Sequence, residues 1–274
     1  MKHLFLILAL LCATAATAQS TKTNTNRPAA QAATKKTTPT QRTNPAAKNP
    51  VAANNVAIKK AVNSNPQYKE VSFSISGKPH GFADGEWARL CRPGKNGLET
   101  ADSVQLVNES FAFSGKTLNV PYLQYLVIGK DHNKSIVELF VEEGAIHADI
   151  TAGERSDKIS GTTHNNIYTP YRDSVNALYG GIFRCTRESM NLTNSDEDRE
   201  AYKLGADSLR KEIVNYTYTF ARKNLNNWVG VYLFAEYYKR FTPAQNKALL
   251  AAVPSKYANL PLMNEIRKFA RTQK

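Results

Sequence analysis

From Tyr68 onward the chain alternates. Val71, Phe73 and Ile75 take every second position, with Glu70, Ser72, Ser74 and Ser76 between them, and Gly77 closes the run. A period of two places successive side chains on opposite faces, so this reads as a half-buried strand. Asp84-Gly85 is a turn, and Trp87 to Cys91 follows as a second strand. Pro93-Gly94-Lys95-Asn96-Gly97 reads as a loop. Val104 with Leu106 marks a third strand, and Phe111 with Phe113 a fourth, closed by Gly115. Tyr122 to Ile128 is apolar on both faces and is expected in the centre of a sheet. Ile136 to Val141 and Ala145 to Ile150 read as a hairpin around Glu142-Glu143-Gly144, and Ile159-Ser160-Gly161 as a last short strand. Seven or eight short strands with frequent turns predict a β-sandwich or a small barrel, antiparallel throughout.

Beyond Asn165 the period changes. Tyr202, Ala206, Leu209, Ile213, Tyr216 and Phe220 are spaced by four and three and fall on one helical stripe. Ser195 with Asp198 predicts a capped start, and Thr242-Pro243 with Gln245 predicts a full capping box. Trp228 to Phe241 is apolar almost all round and is expected between other helices, while Leu262, Ile266 and Phe269 form a final amphipathic segment. Tyrosines crowd this half, among them Tyr168, Tyr171, Tyr216, Tyr232 and Tyr237, either as core or as a partner-facing surface. The fold class is therefore α+β, an N-terminal sandwich or barrel followed by a helical region.

The first residues are of another kind. Lys2 and His3 precede an apolar run, Leu4 to Leu11, and then small residues ending in Ala16-Thr17-Ala18. This is the three-part pattern of a secretory signal, with cleavage expected between Ala18 and Gln19. The run is shorter than the ~20 residues a membrane span needs. Lipidation at Cys12 is a minor alternative, disfavoured by the bulky Leu11 before it. Residues 19–66 are rich in Thr, Asn, Ala, Pro, Lys and Gln and lack aromatic residues and acids, a composition expected to stay disordered. The organisation predicted is a signal peptide (1–18), a basic spacer (19–66), a β domain (67–166) and a helical region (167–274).

Charge changes the picture less than it first promises. The chain carries +13, but nine of its 36 basic residues precede residue 67, where there is no acid. The remaining 27 bases face 23 acids, so the folded part is near neutral. The spacer can touch anionic envelope polymers, but nucleic acid is not an expected partner.

Candidate chemistry is sparse. After signal removal two cysteines remain, Cys91 and Cys185, with no Cys-x-x-Cys pair. In an oxidising compartment they can form a disulfide or stay as two buried thiols. His80, His132, His147 and His164 show no ligand spacing, so no metal is expected. Asp196-Glu197-Asp198 suits a helix start rather than a calcium loop. No nucleophile elbow or phosphate loop occurs, and no cofactor is expected.

Several short stretches carry a resemblance. They are Gly81-Phe82-Ala83-Asp84-Gly85 with Trp87 and Leu90, Asp102-Ser103-Val104, and Phe111 to Gly115. Glu138 to Gly144 and Ile159-Ser160-Gly161-Thr162 with Asn165 complete the set. About residues 70–166 resemble a domain of unknown function found in exported proteins of Gram-negative bacteria. That domain typically sits at the N-terminus of periplasmic thioredoxin-like thiol-disulfide oxidoreductases and is followed by a helical linker. The resemblance implies a periplasmic location. It does not carry redox activity to this chain, which has no dithiol motif and reaches Lys274 where the thioredoxin domain would begin. The function expected is a non-catalytic, exported module that binds an envelope protein or ligand. The alternatives are an accessory to a separate thioredoxin-like protein and an enzyme of unrecognised type.

Overall fold

The computed structural model of the chain describes residues 68–130, 133–153 and 157–273. The expected signal peptide with its expected Ala18–Gln19 cleavage point, Cys12, the expected spacer (19–66) and His132 lie outside them. Eight strands come first: β1 (Glu70–Gly77), β2 (Trp87–Gly94), β3 (Gly97–Gln105), β4 (Phe111–Leu118), β5 (Tyr122–Ile128), β6 (Ser135–Val141), β7 (Gly144–Asp149) and β8 (Lys158–Ser160). Six helices follow: α1 (Thr163–Ser189), α2 (Asp196–Lys223), α3 (Trp228–Tyr237), α4 (Pro243–Ala252), α5 (Ser255–Ala258) and α6 (Pro261–Thr272).

The strands form two four-stranded sheets, ordered β4-β1-β7-β8 and β3-β2-β5-β6. Their inner faces enclose one apolar core that includes Ile75, Phe113, Leu126, Leu139 and Ile146. This is the sandwich of the sequence reading, and β5 is central in its sheet as expected.

Four details differ. The segments around Glu142-Glu143 are not a hairpin, because β6 pairs with β5 while β7 pairs with β1 and β8. The two-residue link is a crossover between sheets. Val137, Leu139 and Val141 reach the core from one side, and Ile146 and Ala148 from the other. A shared inward alternation fits two facing sheets as well as one hairpin, which is why the pattern misleads. For the same reason the sandwich is not antiparallel throughout: β1 and β7 run parallel. Gly115 does not end β4, which continues to Leu118. It is needed for close approach, since a Cβ there would lie 3.0 Å from the ring of Phe73 on the paired strand. Likewise β2 and β3 extend into the 93–97 loop, leaving only Lys95 and Asn96 as the turn.

The helices enclose a second core, with Val175, Ile182, Ile213, Val231, Phe234, Leu249 and Ile266 buried in it. The expected caps are present. Ser195 Oγ accepts from the Asp198 amide at 3.1 Å, and Thr242 and Gln245 form the reciprocal capping box. The α2 stripe is buried at Ala206 and Ile213, but Tyr202 is 38% exposed, because the first turns of α2 are largely solvent-facing. Helix α1 begins at Thr163, inside the span read as the β domain. Among the described residues no helix is long and apolar enough to cross a membrane.

Candidate functional site

The chemistry-bearing side chains concentrate where α1 lies along the sandwich. Strand β6 is the outer strand of one sheet and β8 of the other, so each leaves a row of backbone groups without a neighbouring strand. Helix α1 follows β8 directly and supplies those partners from its side chains. Phe140 N–H donates to Asn165 Oδ1 at 2.9 Å, and Asn165 Nδ2 donates to the Phe140 carbonyl at 2.8 Å. Arg172 donates to the Glu138 carbonyl at 3.1 Å and also to the Asp157 carbonyl. Thr169 donates to the Ile159 carbonyl on β8 at 2.6 Å.

The bond pattern also runs from sheet to helix. Thr162 at the N-cap makes no side-chain cap, and the first turn of α1 has no acid. Glu142, at the end of β6, fills both roles. Its Oε1 accepts from the amides of His164 at 3.0 Å and Asn165 at 3.3 Å, and its Oε2 meets His164 Nδ1. A carboxylate at a helix N-terminus is stabilised by the unpaired amides and the helix dipole. Burial alone would raise the Glu142 pKa. The hydrogen bonds from His164 and Thr162, the His164 charge and the Asn165 amide outweigh it and hold the pKa below the usual carboxylate range.

Three successive outward side chains of β6 serve different neighbours. Ile136 joins Cys91, Tyr125 and Val127 on the outer face of its sheet. Phe140 enters the helical core, with ring centroids 5.2 Å from Tyr168 and 5.3 Å from Tyr232, both edge-on. Glu138, between them, accepts from the Tyr168 hydroxyl at 2.6 Å. Burial pushes the Glu138 pKa up, although Tyr168, Arg172 and Tyr125 oppose it. Asp157 is buried too, and desolvation carries its pKa up to about 6 against the Thr151 amide and Arg172. Burial likewise raises the pKa values of Tyr125, Tyr168 and Tyr232, with nearby Glu138 adding to each and Glu236 to those of Tyr125 and Tyr232. These hydroxyls stay protonated and cannot act as bases at neutral pH.

The sequence-level candidates fall elsewhere. Cys91 and Cys185 are both free and belong to different clusters. Cys91 is buried on β2 with its Sγ 3.9 Å from Thr100 Oγ1, and burial raises its pKa despite Thr100 and Arg89. Cys185 is half-buried on the distal part of α1, where Gly205 of α2 leaves room beside its Sγ. His80 faces Asp149 at 3.7 Å on the surface, and His147 is exposed on β7. Only His164 takes part in the α1 contact, together with the motif residue Asn165. Among the described residues no group of three or more His, Cys, Asp or Glu is placed to hold a metal ion. Sequence reading missed Arg172 and gave Glu138 no role beyond its place in the Glu138 to Gly144 stretch. A lone acid inside the apolar strand Ser135–Val141 was the available signal.

The Gly81-Phe82-Ala83-Asp84-Gly85 stretch is also architectural. Phe82 is buried in the sandwich core. Asp84 accepts from the amides of Asn108 at 3.0 Å and Glu109 at 2.8 Å. Both of these residues have positive φ, at 52° and 54°, in the tight turn between Val107 and Ser110. Left-handed backbone is tolerated by Asn but unfavourable for Glu, and the Asp84 carboxylate holds it in place.

Taken together, the fold defines an α+β chain in which a β-sandwich is sealed along one edge by the first of its helices. Within it, residues 73–168 match a domain of unknown function (DUF4369). The match ends on Tyr168, so it takes in Asn165 and the first turns of α1 as well as most of the sandwich. No curated protein and no solved structure matches the chain.

Proposed function

We propose that this chain is an exported, non-catalytic module that binds another component of the cell envelope. The observation that supports it best is how the buried and half-buried ionisable groups are used. Glu138, Glu142, Asp157 and Arg172 are each hydrogen-bonded to backbone or tyrosine groups that fix α1 or the β7–β8 turn. A catalytic site instead brings a nucleophile, a base and a charge stabiliser together around an open space. The export reading rests on the Lys2 to Ala18 pattern.

The test is to express the chain with its leader in a Gram-negative host and recover it by osmotic shock. The mature mass is expected to begin at Gln19 and the protein to crosslink a discrete envelope component. Retention in the cytoplasm with the leader intact would overturn the location. Turnover in an insulin-reduction assay would overturn the non-catalytic reading. A second reading, an accessory to a separate thioredoxin-like protein, is favoured by the half-buried, free Cys185. A mixed disulfide trapped on Cys185 but not on Cys91 would support it.

A further inference from the structure

Helices α4 and α6 flank an open groove of about 400 Å³. Its walls include Lys247, Arg267 and Arg271, with Pro243, Leu250 and Ala270 between them, and no acid lines it. Arg267 is anchored by bonds to the Ala258 carbonyl at 2.7 Å and Asn264 Oδ1 at 3.0 Å, both neutral acceptors. Lys247 and Arg271 form no ion pair among the described residues. Three uncompensated cations around an apolar floor call for an occupant that is both acidic and apolar.

The chain carries such a segment at the turn between α1 and α2. Met190 is 72% exposed and Leu192 85% exposed, among the most exposed large apolar side chains described. Residues 190–200 contain four acids, Asp196, Glu197, Asp198 and Glu200, against one base, Arg199. All four acids are exposed. The turn closes on itself, since the Asn194 side-chain Nδ2 donates to the Glu188 carbonyl at 2.9 Å, so it is presented as a shaped tip.

We infer that the chain self-associates head to tail, with the acidic, apolar tip of the α1–α2 hairpin of one copy seated in the basic groove between α4 and α6 of the next. The contact joins two different surfaces, so it is heterologous and can repeat, giving rings or chains instead of a closed two-fold dimer. It is electrostatic at its rim and weakens with salt. The inference stands apart from the export and binding readings, because it uses neither the leader nor the α1 contact with the sandwich.

The experiment is sedimentation velocity of the full mature chain over a wide concentration range, in about 0.02 M and about 0.5 M salt. Concentration-dependent species beyond the dimer are expected in low salt and monomer in high salt. Asp196→Lys with Glu197→Lys reverses the tip, and Lys247→Glu with Arg271→Glu reverses the groove. Each variant alone is expected to lose association by roughly tenfold or more, through two altered charge pairs. An equimolar mixture of the two variants is expected to regain it, because each supplies the surface complementary to the other. Leu192→Ser changes an exposed side chain without touching a cap or the core, and it too is expected to weaken association. A monomer at all concentrations in low salt would overturn the inference. So would variants that associate as the parent does, or a mixture that fails to assemble.

Discussion

Asn165 pairs with Phe140 as a neighbouring strand would, accepting from its amide at 2.9 Å and donating to its carbonyl at 2.8 Å. One helical side chain thereby satisfies two backbone groups at the outer edge of β6. Asn165 is 1% exposed and Phe140 is fully buried, so water is not at hand to replace these bonds. Asn165→Ala is expected to lower unfolding free energy by roughly 2–4 kcal/mol, the cost of leaving two buried polar groups unpaired. Asn165→Asp keeps the acceptor and loses the donor, and is expected to be costly as well. Urea unfolding midpoints measure both.

A second expectation concerns Asp84 and the turn it holds. Glu109 sits at φ 54°, a conformation that costs a non-glycine residue about 1 kcal/mol. Glu109→Gly is expected to stabilise by roughly 0.5–1 kcal/mol. Asp84→Ala is expected to destabilise, and less so in the Glu109→Gly background. Equal costs in the two backgrounds would show that Asp84 does not act through this turn.

The buried carboxyls predict opposite pH responses. The Glu142 pKa is held below its usual value, so its contribution is fully present above about pH 4.5 and is lost as pH falls toward the folded-state pKa. Glu142→Gln is expected to cost roughly 1–2 kcal/mol at neutral pH, through the lost helix-terminus charge, and little in acid. The Asp157 pKa is raised from 3.8 to about 6. Its charged form is therefore disfavoured in the fold, and a penalty grows between those values and persists above them. Asp157→Asn keeps an oxygen for the Thr151 amide and is expected to stabilise at pH 7 by roughly 1–3 kcal/mol, a gain that vanishes near pH 4. Denaturant unfolding across pH separates the two slopes.

The cysteines give a simple labelling test. Cys185 is half-exposed, whereas Cys91 is 4% exposed with a raised pKa, and the thiolate is the reactive form. One thiol is expected to react quickly in the native protein and a second only on unfolding, with Cys185→Ser abolishing the fast phase. Absence of any reactive thiol in the native and unfolded states would point to a disulfide instead.

Much of this fold was legible in local patterns. Alternation located the strands because each has one face in the sandwich core, and the caps at Ser195 and Thr242 followed from side chains that bond within one turn. What local pattern could not show was which strand pairs with which. Val141 and Ile146 point into the same core from opposite sheets, and their inward alternation is that of a hairpin. The α1 contact was hidden for a similar reason. Asn165, Arg172 and Glu142 find strand or helix partners more than twenty residues away in sequence; the stretches that carry the resemblance include Asn165 and Glu142, but nothing local says what they bond. Tyr202 continued the α2 stripe in sequence, yet the stripe outruns the body that buries it.

Arg172 offers the most direct test that this buried polar cluster is structural. Its guanidinium is 5% exposed, bonds the carbonyls of Glu138 and Asp157, pairs with the Asp173 carboxylate at 2.8 Å, and lies near the carboxyls of Glu138 and Asp157. The decisive measurement is urea unfolding of Arg172→Met, followed by far-UV circular dichroism and by tryptophan fluorescence, since Trp87 reports on the sandwich and Trp228 on the helices. Removing one member of a buried, charge-paired set costs about 3–5 kcal/mol. A loss of that order, with both probes reporting it, is the predicted result. Unchanged or increased stability would contradict the account, because the carbonyls of Glu138 and Asp157 would then not depend on the guanidinium for a buried partner.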